Sequence, residues 1–587
     1  MNTKNTFGIL KINQLVCAVF AALLAALNPL YAQHSKGYNT NATTKWTTNA
    51  FDRQLFVENK GQFDKDLPGN DKVLYEVSFG EVQAYFTSTG ITYKYEEPAK
   101  RDLRDENKDP DEIDNSNPVT HYLSQKWVNA NTDVTIEAGD EQSYYYTYPV
   151  APDGTIQTNV FKKLTYRNLY PGIDAEYIFP KDKPGIKYSL IVHPGADLSA
   201  IKFEYEGADK IHTDASGNLI INTDFGTFTE HAPNSYIKSG NKNISSGFTI
   251  NGNTISFSAS QPVNGTFVID PWVTNPLFST APNRAYDLDY DNQGNVYVYG
   301  GGGPYQLVKL NSSGTIQWTY NNNFFWGREH YYGDFTVDKV TGTSYVVEGV
   351  GGPGFGVAAD AMKINTLGKL VATFGGNTHL TEMWRAIYNP CTHTILVGGG
   401  GIKYPYQACV LDTNMKAITP VNVLTGDTMP YHDITLMAMD PAGQNCYMTT
   451  AMNVFYDTNY DNYFLKVPVP ALSPTTYMFP DGYQFQETES VWYVGNSASA
   501  GYALANAMNG MGVSNNWVYT YEGYIIHRYN PLTGALTKTL KIATPVIQTI
   551  YGKPAMVPNW GGLDVDMCDN LYVGDVSTIN IYDSTLT

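Results

Sequence analysis

An all-β chain built from two unlike parts is what this sequence predicts, and three observations carry the prediction. The first is a repeat. Six times between Arg284 and Tyr582 an apolar strand runs into Asp or Asn, turns, and is followed by a second strand. The anchors are Asp291, Asp338, Asn389, Asp440, Asn496 and Asp566, at steps of 47, 51, 51, 56 and 70 residues. A tyrosine or isoleucine follows each anchor (Tyr297, Tyr345, Ile395, Tyr447, Tyr502, Tyr572), and third strands close on Asn311, Asn365, Asp412, Asn530 and Asp583. A period of about 40–50 residues with four short strands per unit is the signature of a β-propeller. The second observation is composition: 45 Tyr against 38 Lys+Arg, a bias that suits half-buried pleated surfaces. The third lies ahead of the repeat, where short strand-like runs alternate with turn residues, as in a β-sandwich-like domain.

Taken in order, Lys4 and Lys11 precede an apolar run from Leu15 to Leu27, and Leu30-Tyr-Ala32 offers small residues for cleavage. Residues 1–32 therefore read as a secretory signal peptide. Cys17 does not follow a lipoprotein-type triplet, since Gln14-Leu15-Val16 precedes it. No other segment approaches the roughly 18 apolar residues needed to span a bilayer, so no integral membrane segment is expected in the mature chain. Residues 33–50, rich in Ser, Thr, Asn and Lys, read as a flexible leader. Residues 51–271 carry strand signals at Val73-Leu-Tyr-Glu-Val-Ser-Phe79, Val82-Gln-Ala-Tyr-Phe86, Ile91-Thr-Tyr-Lys-Tyr95, Tyr144-Tyr-Tyr-Thr-Tyr148 and Tyr188-Ser-Leu-Ile-Val192. A stretch dense in charge of both signs from Glu96 to Asp114 interrupts them and reads as a solvated loop. The propeller then occupies 272–587. Its sixth unit has strands at Leu563, Leu571 and Ile579, so the strand at 272–278 is expected to complete that last blade and close a six-bladed ring without an exposed edge; a larger ring completed by sequence downstream is the competing reading.

Bulk charge narrows the partners. A net charge of −18 disfavours nucleic acid and anionic lipid, both of which need a basic face. Four cysteines remain after signal cleavage, Cys391, Cys409, Cys446 and Cys568. They permit two disulfides in an exported chain, or four free thiols; no spacing decides between these, and no CxxC pair points to zinc.

Four motifs stand in order within 51–271: Phe56-Val-Glu-Asn-Lys-Gly-Gln-Phe63, Tyr170-Pro-Gly-Ile-Asp-Ala-Glu-Tyr177, His193-Pro-Gly-Ala-Asp197 and Phe267-Val-Ile-Asp-Pro271. Together they make this region resemble the N-terminal β-domain of unknown function found in Bacteroidetes-type exported proteins, which commonly precedes propeller-like repeats. The resemblance implies a secreted or cell-surface protein, often exported by a type IX, gliding-associated pathway. It carries over no catalytic residue. Such proteins usually end in a C-terminal sorting domain, and this sequence stops at Thr587 without one, so either it is truncated or its export route differs.

In a propeller the loops that lead into the innermost strands gather on one face. Here they hold Arg284; Trp326, Arg328, His330 and Tyr331; Glu382, Trp384 and Arg385; His432 and Asp433; Glu489; and Trp560. Seven residues back from each anchor stand Arg284, Tyr331, Glu382, Asp433, Glu489 and Asn559, a ring of polar groups around a channel mouth if the repeats are equivalent. Aromatics and carboxylates there suit a glycan or a surface or matrix protein, and the expected role is a secreted binding or adhesion module. Equally, loops are polar anyway, and aromatics at blade edges pack between blades. The alternative is a carbohydrate-active enzyme, in which Glu382, Asp433 and Glu489 would include the carboxylate pair that flanks a glycosidic bond. His330, His379 and His432 sit at unequal offsets, so no metal site is expected. Asp289-Tyr-Asp-Asn-Gln-Gly294 resembles the start of a Ca²⁺ loop, but Gly300 stands at the twelfth position, and Asp291 reads better as a turn former. No cofactor is expected. No phosphate loop, GxSxG elbow or HExxH pair is present.

Overall fold

The computed structural model describes residues 50–587 apart from 97–118, 276–284, 323–330, 351–360, 375–379, 401–407, 422–431, 453–463, 470–509 and shorter pieces of one to four residues. The described elements are strands, with one short 3-10 turn at Leu198–Ala200. The all-β class holds throughout.

The strands from Phe56–Glu58 to Trp272–Thr274 hydrogen-bond into one antiparallel sheet. It runs from Ser246–Asn251 through Thr254–Ala259, Lys202–Glu206, Thr120–Trp127 and Gly90–Glu96 to Val82–Phe86. It continues through Tyr75–Ser78, Phe56–Glu58, Gly154–Tyr170, Ile173–Ile178, Ile186–Val192 and Phe267–Asp270 to Asn234–Ile237. The sheet curls on itself: Ile244, just before the first of these strands, donates its N–H to Ser235 on the last at 2.9 Å. The sandwich-like domain thus takes a nearly closed, barrel-like form around a large core, with a second apolar cluster that includes Val57, Tyr85, Tyr146 and Val160. Strict alternation drives this. Ile186, Tyr188, Leu190 and Val192 are buried while Lys187, Ser189 and Ile191 are not, which is the two-residue period of a strand with one face inward. Tyr93 and Phe228 meet across the core at 4.9 Å between ring centres.

The segment expected to close the ring belongs here instead. Trp272–Thr274 pairs with Ile186–Val192 (Trp272↔Lys187) and with Gly226–Glu230 (Thr229↔Thr274). Val273 is buried in the barrel core, and that burial fixes the strand to the first domain rather than to the last blade. Of residues 272–278, those from 276 on lie outside the described residues.

Among the described residues six blades follow, with a separate strand pair, Val546–Ile550 and Lys553–Val557, between the last two. Blade 1 comprises Ala285–Tyr290, Val296–Gly300, Gln306–Leu310 and Ile316–Asn321; blade 2, Tyr331–Val337, Ser344–Val350, Ala361–Ile364 and Leu370–Phe374; blade 3, Glu382–Asn389, Thr394–Gly400, Ala408–Asp412 and Ala417–Val421. Blades 2 and 3 also touch edge to edge at Val350↔Glu382. Blade 4 shows His432–Met439, Asn445–Met452 and Phe464–Pro468; blade 5, Gly510–Val513, Val518–Tyr521, Ile525–Tyr529 and Leu536–Lys541; blade 6, Leu563–Val565, Leu571–Gly574 and Ile579–Tyr582.

The anchors are turn formers, as their chemistry predicts. Asp291 Oδ1 accepts the N–H groups of Gln293 and Asn295, while Oδ2 takes the Asn295 amide and the Tyr297 hydroxyl. Asp566 repeats the arrangement with Cys568, Asn570 and Tyr572. The closers Asn311, Asn365, Asp412, Asn530 and Asp583 do the same at the start of the next turn. A short side chain that bonds the backbone two to four residues on makes each reversal local.

Successive blades bury one apolar layer each, from blades 1 and 2 (Tyr299, Tyr320, Phe335, Met362) to blades 5 and 6 (Tyr519, Tyr521, Leu571, Val573). Between blade 6 and blade 1 no such layer occurs among the described residues. There Leu288 and Tyr290 of blade 1 are half or more exposed, and Ile579 and Ile581 of blade 6 are 70% and 62% exposed. Ala50 and Phe51 pack against Val298, Val308 and Leu310 on the face of blade 1 that blade 2 does not cover.

The fifth unit differs from the sequence reading. Its third strand falls at Ile525–Tyr529 as expected, but the strands before it are Gly510–Val513 and Val518–Tyr521, joined by a turn in which Ser514 Oγ accepts from Asn516 and Trp517. Ser514 lies 52 residues before Asp566 and 74 after Asp440, so the one long step falls ahead of the fifth unit instead of after it. The expected anchor Asn496 and Tyr502 lie outside the described residues.

The two parts are joined by strand addition. The strand Thr135–Val150 pairs in parallel with Ile316–Asn321, the outer strand of blade 1 (Trp318↔Tyr145, Tyr320↔Thr147). From it Thr147 donates its hydroxyl to the Gly368 carbonyl of blade 2 at 2.5 Å, and Tyr145 donates to Leu367 at 3.1 Å.

Candidate functional site

Inner strands of neighbouring blades run side by side, so a polar side chain on one can reach the backbone of the next. Asp289 of blade 1 accepts the Val337 N–H of blade 2 at 2.8 Å and pairs with Lys339. Asp334 of blade 2 accepts the Ala386 N–H of blade 3 at 3.0 Å, and Thr336 accepts that of Tyr388 at 3.1 Å. Asp287 faces Asp334. Burial, reinforced by the Asp334 carboxylate and a hydrogen bond with it, pushes Asp287 well above the ordinary carboxylate range. The same physics operates wherever two carboxyls share one enclosed space. Arg385 of blade 3, buried to 9% exposure, works the other way on Asp287 and favours its charged form.

Asp287, Asp334 and Arg385 each stand four residues before their anchors. The repeat therefore does bring quasi-equivalent polar groups together at the inner wall, but at offset four. Of the offset-seven positions, Tyr331 and Glu382 are the first residues of their inner strands and Asp433 the second of its own.

The predicted mouth residues divide into three groups. Arg284, Trp326, Arg328, His330, Glu489 and Trp560 lie outside the described residues, as does His379. Tyr331, Glu382 and His432 begin the inner strands of blades 2, 3 and 4, with Asp433 next, so the backbone sets them at one end of three adjacent blades. Trp384 and Arg385 are buried, Trp384 at 3% exposure; Trp384 is packed within the blades and offers no open stacking face. Asp291, the residue at the centre of the Ca²⁺-like segment, has both oxygens committed to its own turn and to Tyr297.

Among the described residues Cys391, Cys409, Cys446 and Cys568 are free thiols, Cys391 and Cys568 exposed, Cys409 and Cys446 buried. Burial raises the Cys409 thiol to about 12 and Cys446 well above its usual value, which makes both inert as nucleophiles. Among the described residues no group of three or more His, Cys, Asp or Glu converges on a metal position, and no helix is long and apolar enough to cross a membrane.

The barrel motifs hold turns and junctions. Asp174 accepts from the Asn168 N–H at 2.7 Å, from Arg167 at 3.1 Å, and lies 3.3 Å from His193 Nε2. Burial works to raise its carboxyl, but these bonds outweigh it and hold it below the usual range. Gly172 sits at φ +73°, and a Cβ there would press on Ala196 at 3.1 Å. Two of the four motifs thus touch. Beside them a groove of about 450 Å³ is lined by His193, Ala196, Leu198, Ser260, Gln261 and Phe267. Asp270 of the closing motif takes Lys187 and Ser189, each at 2.7 Å. In the barrel core, Glu230 is clasped by the hydroxyls of Tyr188, at 2.5 Å, and Tyr205. Burial raises it to about 7 even against those two donors. No sequence pattern singled it out.

No curated protein matches this sequence. Among solved structures the chain is similar to the β-propeller domain of Cps50 (Swd1) from Myceliophteria thermophila, at 12% identity, covering 51% of this chain and 96% of that one, with a TM-score of 0.28. Residues 56–272 match the family model described as a domain of unknown function, DUF7948, which spans the barrel-like sheet from its first strand, Phe56–Glu58, to the start of its last, Trp272–Thr274.

Proposed function

We propose that this chain is an exported binding or scaffold protein whose propeller engages a glycan or another surface protein through the end of the blades that begins at Tyr331, Glu382 and His432. A propeller is a scaffold that presents loops, and its fold alone names no chemistry. The observation that carries the reading is the join between the two parts. A strand of the barrel extends blade 1, and buried Thr147 ties it to blade 2, which makes one continuous support for the surface presented by the blades. The inner-wall acids Asp289 and Asp334 are engaged in holding blade to blade, a use that favours support over chemistry. The signal-peptide pattern at 1–32, and the family resemblance with its type IX association, support export to the cell exterior.

The test uses residues 33–587 on a glycan array and in a pull-down from surface extracts, beside the variant Glu382→Gln, Asp433→Asn, Glu489→Gln. Saturable binding lost in the variant places the ligand at that end, and analysis of the glycan afterwards separates a binder from an enzyme. Absence of binding to any glycan or surface protein overturns the reading. N-terminal sequencing of the exported protein should begin at Gln33.

A further inference from the structure

Blade 1 has two apolar faces. Tyr299, Leu307 and Tyr320 pack with Phe335 and Met362 of blade 2, while Val298, Val308 and Leu310 face the other way. A four-stranded repeat cannot bury both faces by itself, and an array of such repeats needs a cap on its first member. The barrel meets this blade at three places. Ala50 and Phe51, just ahead of the first barrel strand, bury the Val298 face, and Phe51 is itself only 2% exposed. The barrel strand Thr135–Val150 adds in parallel along Ile316–Asn321 and covers the outer edge that the blade would otherwise present. The same hairpin then reaches across to blade 2.

There it holds one turn. Tyr145 and Thr147 donate to the carbonyls of Leu367 and Gly368, and Thr155, on the return strand Gly154–Tyr170, donates to that of Leu370 at 3.2 Å. Trp318 of blade 1 donates its indole N–H to Thr366 in the same turn at 3.0 Å. Gly368 sits at φ +69°, and a Cβ there would lie 2.7 Å from the Trp318 ring. The turn of blade 2 is thus seated against blade 1 and the barrel at once.

We propose that the barrel-like domain is the folding template of the propeller. It forms first, receives blade 1 on its strand Thr135–Val150 and on Phe51, and seats the turn of blade 2, so that the blades add in chain order. The division of contacts supports this. The barrel core draws on residues between Phe56 and Val273 and takes none from the blades, so its formation does not wait for them. Blade 1, by contrast, depends on the barrel side for one face and one edge. Chain order agrees, since the barrel strands precede every blade and domains fold as units from the N-terminal side during synthesis.

The test is refolding of residues 33–587 by dilution from denaturant, with pulsed amide hydrogen exchange read by mass spectrometry. Barrel amides should gain protection first, those of blade 1 next, and those of the later blades after them. Phe51→Ala removes a ring that belongs to neither apolar cluster of the barrel. It should slow protection of blade 1 about tenfold and leave the barrel rate unchanged. Adding Tyr145→Phe and Thr147→Val should delay blade 2 further; where that triple variant also slows the barrel, Phe51→Ala alone decides. Protection of any blade before the barrel overturns the proposal. So does blade 1 folding at the parent rate in Phe51→Ala, with the loss confined to faster unfolding, because the contact would then form last.

Discussion

The barrel and the propeller solve the same packing problem in opposite ways. The barrel gathers residues from Phe56 to Val273 into one large core, with a smaller apolar cluster beside it. The propeller divides its interior into layers between adjacent blades, each drawn from a short stretch of chain such as Tyr345 to Met415. Their buried polar groups differ accordingly. The barrel isolates one carboxyl, Glu230, inside its core. The propeller places its acids along inner strands, where each satisfies the backbone of the next blade. A single core fails as a unit, whereas a layered one fails locally.

The largest effect should come from breaking the single core. Phe228→Ala removes a fully buried ring that packs on Tyr93 and Phe225 and should cost about 4 kcal/mol. Hydrogen exchange should then accelerate across all barrel strands together; acceleration confined to Gly226–Glu230 would refute the single-unit picture.

The matching change in the propeller is Gly512→Val. A Cβ at Gly512 would lie 2.4 Å from Val565 and 2.7 Å from Leu563, and at Gly510 the Leu563 backbone nitrogen is 2.4 Å away. Overpacking here should cost about 3 kcal/mol, with faster exchange limited to blades 5 and 6.

The pH dependence of the barrel should follow Glu230. Its folded value is raised above its unfolded one, so the folded state holds the extra proton in between. Stability therefore falls as pH rises from the ordinary glutamate range to about 7. The full swing is on the order of 3 kcal/mol. Denaturant melts of residues 33–587 at pH 5 and pH 8 should show it in the barrel transition, and Glu230→Gln should flatten it. An unchanged slope in the variant would assign the effect elsewhere.

Thr147→Val tests the join. It removes the donor to Gly368 without changing shape and should cost about 1–2 kcal/mol, splitting one calorimetric transition into two. A single transition at lower temperature would mean the strand pairing alone couples the parts. The smallest change is Asp291→Ala, which removes one turn's hydrogen bonds and should cost about 1 kcal/mol, with exchange quickened only in blade 1.

The fifth repeat shows where reading the sequence stops. Trp492-Tyr-Val-Gly-Asn496 has the apolar pattern expected of an inner strand, while Gly510-Met-Gly-Val513 does not. The strand carries glycines because Leu563 and Val565 of blade 6 approach it too closely for a side chain. A neighbour fifty residues away decides that, and local pattern cannot register it. Likewise Val273 looked free to join the last blade until the barrel core claimed it.

What the sequence alone determined were the features whose causes lie within a few residues. These are the β class from strict alternation, the blade period from its anchors, and the turns from Asp and Asn bonding their own backbone. What only the tertiary structure decided were the features that depend on which surfaces meet. They include the raised carboxyl of Asp287 facing Asp334, the raised carboxyl of Glu230 and the strand that joins barrel to blade 1. The reason is range: a turn is made by one short segment, while the desolvation, pairing and close approach behind the others arise only when segments distant along the chain come together.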